Sequence, residues 1–422
     1  MAQLIIRNIG PIKDIDITLN KINVIIGPQS SGKSTINKIA CFCSWVEKKV
    51  SLEQSFDFFL KDDIFINSLI VFHKLDGYLR DNSYIYYESE ILKIEYTYPR
   101  KNPNLQWINK AKYKRVKLSY IPAERNIISI ISDWKEVSLP DNNIRNFMSD
   151  WNTSRKLHKA NNSTYIPSLD VEYFFDEDKE TDYIVNKDGS KISLISASSG
   201  IQSYVPLYIL TDYFTKWIYE NEEPQSVASQ EKDLRIFSKI RDDISSEFNI
   251  EENSLSNLLG KRQNELNQNE INIISNFVEK FKCFMRNNGT KLYIEEPELN
   301  LFPSVQKSVL YYLIHSIQER KEDTAIITTH SPYILYSLNN CIMGWLVKDN
   351  MPNDIANSLE SHNSWINPKL VSAWQIKDGK IFSIQEHHTN SIGKHYFNEI
   401  MNETMDEYYT MLNYFTPNSN EK

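Results

Sequence analysis

Four cysteines in 422 residues (Cys41, Cys43, Cys283 and Cys341) are too few and too scattered for a disulfide framework. Cys41-Phe-Cys43 has no second Cys/His pair at zinc-finger spacing, so all four read as reduced thiols. No stretch approaches the roughly 18 uninterrupted apolar residues of a membrane span. The opening Met1-Ala-Gln-Leu-Ile-Ile lacks a basic segment followed by an apolar run and a small-residue cleavage site. No export leader is therefore expected, and the cytoplasm is the expected compartment. An excess of positive charge is missing too: 47 Lys and Arg against 55 Asp and Glu leave a net charge of −8. That excludes a surface that is basic everywhere, but not a local basic groove. There is no internal repeat, no low-complexity linker and no heptad run long enough for a coiled-coil arm.

What is present is ordinary globular usage, 41% apolar and 24% charged, which excludes wholesale disorder. The length suits two to three structural units, or one large domain with insertions. Leu4–Ile9 and Ile15–Leu19 read as strands. Ile22-Asn-Val-Ile-Ile26 is the apolar run expected of a strand buried on both faces, and Ile36–Val50 can form a helix. Between them lies Gly27-Pro28-Gln29-Ser30-Ser31-Gly32-Lys33-Ser34-Thr35. Residues 83–120 are rich in β-branched and aromatic residues and read as antiparallel strands, the last being Tyr113–Tyr120. Tyr183–Leu194 suggests a hairpin turning at Asp188-Gly189. Residues 214–287 are polar and glycine-poor, with apolar residues at helical spacing such as Ile236, Phe237, Ile240, Ile273 and Phe277. They read as a helical insertion in a head made of residues 1–213 and 288–422. The tail reads as strands around Trp345-Leu-Val and Ala373–Ile384, followed by an acidic helix to about Tyr414.

Four segments carry chemistry. Gly27–Ser34 fits G-x-x-x-x-G-K-[ST] between a buried strand and a helix. Its glycines let successive N–H groups face phosphate oxygens, Lys33 adds a cation, and the Ser34 hydroxyl is a ligand for Mg²⁺. Leu292-Tyr-Ile-Glu295-Glu296-Pro-Glu298 ends an apolar strand in adjacent acids. One suits Mg²⁺ through water, and the next suits orienting or deprotonating the attacking water. Thr324–Thr329 delivers His330 at a strand's carboxyl end, where α/β sites gather. Ser198-Ser199-Gly200-Ile201-Gln202 opens an apolar helix whose free N–H groups suit an anion.

These elements in this order resemble the heads of ABC-type ATPases. More closely they resemble the SMC/RecF branch that includes the overcoming-lysogenization-defect-like ATPases of bacterial anti-phage systems. The string Glu295-Glu-Pro-Glu-Leu-Asn-Leu-Phe-Pro303 is the most specific match. The resemblance implies an α/β fold: a mixed, partly parallel P-loop sheet flanked by helices, with an antiparallel β-subdomain and a helical insertion. It makes Gly27–Thr35 the Walker A loop, Glu295 the Walker B acid on the metal, Glu296 the catalytic glutamate and His330 the switch histidine. Ser199, Gly200 and Gln202 become a signature that serves a partner's nucleotide, although Ile201 stands where a second glycine is usual. Tyr120-Ile-Pro-Ala-Glu124-Arg125 also resembles a segment of these ATPases near the Q-loop, which would put Glu124 or Gln29 on metal or water.

The resemblance further implies ATP and Mg²⁺ as ligands, slow hydrolysis, and a homodimer or higher homo-oligomer with composite sites. The output would be control of a separately encoded effector, such as a nuclease, in anti-phage defence. The residues after His330 hold no Asp-x-Asp, so no nuclease is expected within them. Two other readings stand beside this one. One is a RecF-like DNA-binding recombination or repair ATPase, for which Lys110, Lys112, Lys114, Arg115 and Lys117 are the best basic cluster against a plain solvated strand face. The other is a nucleotide-gated scaffold with little turnover. No membrane partner is expected.

Overall fold

Every residue of Ile22–Ile26 is buried, which requires neighbours on both edges and cover on both faces. The computed structural model, which describes residues 1–131, 134–220, 227–250, 252–262 and 265–415, supplies both. In chain order the strands are β1 (Ala2–Ile9), β2 (Ile12–Leu19), β3 (Ile22–Ile26), β4 (Leu79–Glu88), β5 (Leu92–Thr97), β6 (Asn104–Trp107) and β7 (Val116–Ile121). They continue with β8 (Thr164–Ile166), β9 (Val171–Asp176), β10 (Thr181–Val185), β11 (Lys191–Ser193), β12 (Gly289–Glu295), β13 (Thr324–Thr329), β14 (Val371–Lys377) and β15 (Lys380–Ser383). Eleven of them form one sheet in the order β6-β5-β4-β1-β2-β15-β14-β3-β13-β12-β7, and β8–β11 form a second, antiparallel sheet.

The large sheet has two halves. From β14 through β3, β13 and β12 to β7 every pairing is parallel, whereas β6, β5, β4, β1 and β2 pair antiparallel. Alternation of side chains across the parallel half divides the core. Ile22, Val24, Ile26, Leu292, Ile294 and Ile327 face one cluster. Ile25, Tyr293 and Ile326 face the other, together with Ile36, Ile39, Phe42 and Val46 of the helix Lys33–Glu53. The first face is covered by the helices Asn143–Ser154, Ser199–Asp212, Pro303–Gln318 and Pro332–Val347. The fold is thus α/β: a mixed sheet whose parallel half carries the glycine loop, flanked by helices, with an antiparallel β wing.

Three helices, Val227–Phe248, Glu252–Gly260 and Gln268–Met285, share a separate core that includes Ile236, Ile240, Ile244, Leu255, Ile273 and Phe277. Leu52 and Tyr113 belong to the same cluster, so it rests on the end of the Lys33–Glu53 helix and the loop before β7. Part of the expected insertion 214–287 (residues 221–226, 251, 263 and 264) lies outside the described residues, as do 416–422 of the tail. Phe214 and Ile218 pack into the main core rather than into this helical group.

Two expectations fail. The last of the three strands expected to be antiparallel, β7, instead pairs parallel with β12, because its partner comes from far along the chain. The segment around Trp345 is not a strand but the end of the helix Pro332–Val347. A continuous apolar run has no period of its own and suits either element. The hairpins β10–β11 and β14–β15 do form, with Gly189 and Asp378-Gly379 at positive φ in their turns.

Candidate active site

Register brings the chemistry to one edge. Ile26 lies opposite Thr329 of β13, and Glu295 lies opposite Thr328. The residues that follow these strand ends, Gly27, His330 and Glu296, therefore emerge side by side at the carboxyl ends of adjacent parallel strands.

The loop 27–32 turns on two positions. Gly32 has φ +101°, and a Cβ there would lie 2.8 Å from Ile12 Cγ1. A Cβ on Gly27 would lie 2.9 Å from Ser31 Oγ and 3.1 Å from the Ile376 carbonyl. The turn delivers Lys33 to the first position of its helix, where the N–H groups of Lys33 and Ser34 have no intrahelical partner. The Lys33 ammonium is buried and donates to the carbonyls of Gly27 and Pro28 at 2.7 Å each. Burial lowers its pKa to about 8, against the opposing pull of Glu296, Glu298 and Glu295. Ser31 Oγ is buried with no hydrogen-bond partner among the described residues. Pro28, Gln29, Ser30 and Ser34 are exposed, and Thr35 is buried.

The Lys33 Nζ also lies 3.4 Å from His330 Nδ1, and His330 Nε2 lies 3.4 Å from Glu296 Oε1. An ammonium can only donate, so Nδ1 accepts and Nε2–H is left to donate to the carboxylate. That hydrogen bond holds Glu296 below the usual carboxylate range, although burial opposes it. The backbone N–H of His330 donates to Glu298 Oε1 at 2.6 Å. Glu298 is therefore a residue that places the histidine, and no separate role for it is evident from the sequence.

Glu295 is buried, which raises its pKa, and Tyr120 Oη donates to its Oε1 at 2.5 Å. The Ala123 N–H reaches Glu295 Oε2 at 3.4 Å. Glu296 has φ +43°, in the left-handed region, and precedes Pro297, which itself disfavours helical backbone. Two main-chain bonds hold it there. Its N–H donates to the Thr328 carbonyl at 2.8 Å, and its carbonyl accepts from Arg125 Nη2 at 2.7 Å.

Arg125 directs its hydrogen bonds to main-chain carbonyls. It is fully buried, and its guanidinium donates to the carbonyls of Glu295 (2.8 Å), Glu296 (2.7 Å), Pro122 (3.3 Å) and Ser203 (2.8 Å). Burial lowers its pKa to about 10, so it is charged at neutral pH. One side chain thereby ties the end of β12 to the helix Ser199–Asp212. Sequence reasoning placed Arg125 near the site without this role. Glu124 is exposed, and its charge acts on Glu295.

Ser199 is exposed and Gly200 half-buried at the start of their helix. A Cβ on Gly200 would lie 2.9 Å from the Asn300 carbonyl, so glycine is required by the close approach of the segment after Glu298. Asn300 Nδ2 also donates to Ser203 Oγ at 3.0 Å. Gln202 Nε2 donates to the Ile195 carbonyl at 2.7 Å, closing the loop before the helix. Among the described residues no hydrogen bond joins Ser199 to Lys33, Glu296 or His330.

The basic cluster is largely neutralised. Lys110 pairs with Asp243 (3.1 Å), Lys112 with Glu90 (3.0 Å), Lys114 with Glu322 (2.6 Å) and Lys117 with Asp150 (3.5 Å). Arg115 donates to the Met285 carbonyl. No helix among the described residues is long and apolar enough to cross a membrane.

No family model matches the chain. No curated protein matches it either. Among solved structures, the SMC head domain from Thermotoga maritima is similar at 10% identity over 91% of this chain and 98% of that one, with a TM-score of 0.37. The recombination mediator protein RecF with ATPrS is similar at 10% identity over 90% and 97%, TM-score 0.28. The dimeric structure of a bacterial ABC transporter cassette is similar at 9% identity over 91% and 99%, TM-score 0.28. These superpositions are loose, and the functional reading rests on the chain's own residues.

Proposed function

We propose that this protein is an ABC-type ATPase head that binds ATP with Mg²⁺, hydrolyses it slowly, and couples the nucleotide to self-association. The observation that carries the reading is the relay Lys33–His330–Glu296, with both links at 3.4 Å, beside a glycine loop at a helix N-terminus. The residues suit the ligands. Ser31 Oγ is buried without a partner among the described residues, and a Cβ on Gly27 or Gly32 would collide with Ile376 or Ile12, so the loop can take this turn only with glycine at both positions. The described residues hold no group of three His, Cys, Asp or Glu able to cage a metal. Mg²⁺ is bound through one or two protein groups, waters and phosphate oxygens. Ser34 and Glu295 are the residues to hold it, the latter through water, and bound Mg²⁺ offsets phosphate charge.

In this reading Lys33 exchanges the carbonyls of Gly27 and Pro28 for phosphate oxygens. Glu296, kept ionised by the His330 bond, orients the attacking water and takes its proton. His330 holds the carboxylate and senses the terminal phosphate. Ser199, Gly200 and Gln202 act on the nucleotide of a second copy, giving two composite sites in a homodimer. The biological output we infer is control of a separately encoded effector in anti-phage defence, supported by the order of the motifs and the Glu-Glu-Pro-Glu string. The DNA-clamp reading is weaker, because the lysines it needs are paired with carboxylates.

The test is binding of a fluorescent ATP analogue and phosphate release for wild type, Lys33→Ala and Glu296→Gln, with mass measured by light scattering. Expected are loss of binding in Lys33→Ala, and retained binding with turnover lowered at least about 100-fold in Glu296→Gln. ATP-dependent closure of two heads onto each other, read as compaction where they are already tethered and as a mass increase where they are not, should persist in that variant. Wild-type turnover in Glu296→Gln would sink the reading.

A further inference from the structure

The helix Tyr396–Leu412 contains no buried residue along its 17 positions. Helices of this length are marginal in water unless one face is packed. Among the described residues only its root is held. The Tyr396 N–H donates to Gln375 Oε1 at 2.7 Å, the His395 ring lies 6.0 Å from Tyr336, and Phe397 packs against the main core. Beyond that turn Met401, Met405, Tyr408 and Leu412 are 55, 42, 53 and 46% exposed. Their steps of four, three and four residues form a single seam with the 3.5-residue repeat of a coiled coil.

The charges say what can lie along that seam. With Met401 and Tyr408 at d and Met405 and Leu412 at a, the flanking e and g positions are Asn402, Thr404, Tyr409 and Met411, none of them charged. All four acids, Glu399, Glu403, Asp406 and Glu407, fall at b, c and f on the outer side. A second copy of an acidic helix would normally be repelled, but here no carboxylate lies beside the seam. The pattern is compatible with self-pairing in a way that acids at e and g would forbid.

We propose that this helix is a two-fold pairing element that lies in parallel against the same helix of a second copy, making the protein a dimer before nucleotide arrives. Its root sits beside the site: Gln375 pairs in register with Ile26, the residue before the glycine loop. Parallel pairing keeps both roots, and with them both loops, at one end. The pairing does not depend on the nucleotide reading, but its consequence does. Tethered heads meet at an effective concentration on the order of millimolar, so composite-site closure becomes intramolecular.

The experiment is light scattering of the full chain in EDTA without nucleotide, for wild type and the double variant Met405→Glu/Leu412→Glu. Circular dichroism and thermal melting report that each variant is folded, and binding of the fluorescent ATP analogue is measured as a separate arm. Twice the chain mass of 49.5 kDa is expected for wild type, and a twofold lower mass for the variant. In a Cys283→Ser background, oxidation of Leu412→Cys should give a disulfide dimer, and Glu403→Cys should not. A monomeric wild type, a double variant that stays dimeric, or equal cross-linking at both positions would each overturn the proposal. Because no nucleotide is present, failure of the ATPase reading would show only in the analogue-binding arm.

Discussion

Arg125→Lys separates a positioning role from a merely structural one. The guanidinium spans three segments by donating to the carbonyls of Ser203, Glu295 and Glu296 at 2.7–2.8 Å, with Pro122 at 3.3 Å. A lysine carries its donors on one atom and cannot reproduce that planar fork. If it recovers one of the three short bonds, two charge-assisted bonds are lost at about 1.5–3 kcal/mol each, a net loss of roughly 3–6 kcal/mol. A protein of ordinary stability survives that and melts on the order of 5–10 °C lower. The larger effect is expected at Glu296, whose left-handed backbone is held by the lost carbonyl bond. A displacement of about 1 Å in a catalytic group costs on the order of 100-fold in rate. Phosphate release at saturating ATP, well below the melting temperature, should therefore fall by about that factor. KM should change little, because Arg125 makes no bond to the glycine loop. A variant that melts lower yet keeps wild-type kcat would refute the positioning role.

Three further outcomes follow from individual contacts. Because Lys33 has its pKa lowered to about 8, at pH 9 about nine in ten of these lysines are neutral before nucleotide arrives. Binding of the triphosphate raises the pKa again, so calorimetry in buffers of different ionisation enthalpy should show uptake of nearly one proton per site at pH 9 and almost none at pH 6.5. Affinity should be about tenfold weaker at pH 9 than at pH 7, and equal proton uptake at both extremes would contradict the assignment. Gly200→Ala places a Cβ 2.9 Å from the Asn300 carbonyl, and the strain, about 1–3 kcal/mol, falls on the joint between the Ser199 helix and the segment after Glu298. Turnover should drop at least about tenfold while analogue binding stays normal, and an unchanged rate would mean that the joint is slack. Tyr120→Phe removes the 2.5 Å bond that lowers the Glu295 pKa, so that pKa rises further. The acid limb of the pH–rate profile should move to higher pH, with Mg²⁺ required at higher concentration, and a superimposable profile would exclude Glu295 from the metal site.

The parts of the site legible in the sequence are those whose chemistry demands a residue type at a fixed spacing. The loop 27–35 needs glycines where the backbone turns left or closely approaches a neighbour, and Gly32 has φ +101°. Glu296 and His330 could be placed together because each follows a buried apolar run, and parallel strands in register end at the same edge. Pairing was not legible where the partner is remote. β7 has the composition of its antiparallel predecessors, and only β12, far along the chain, makes it parallel. The Arg125 clamp left no pattern either, because its acceptors are main-chain carbonyls, which any sequence provides.

The same clamp accounts for the least favourable feature of the site. Glu296 adopts a left-handed backbone directly before a proline, a conformation that ordinarily costs about 1–3 kcal/mol. It persists because the Thr328 carbonyl takes its N–H while Arg125 takes its carbonyl, so the strand beside it and the Ser199 helix jointly determine where the carboxylate points. A movement of that helix therefore reaches Glu296 through one side chain and two bonds of 2.7–2.8 Å.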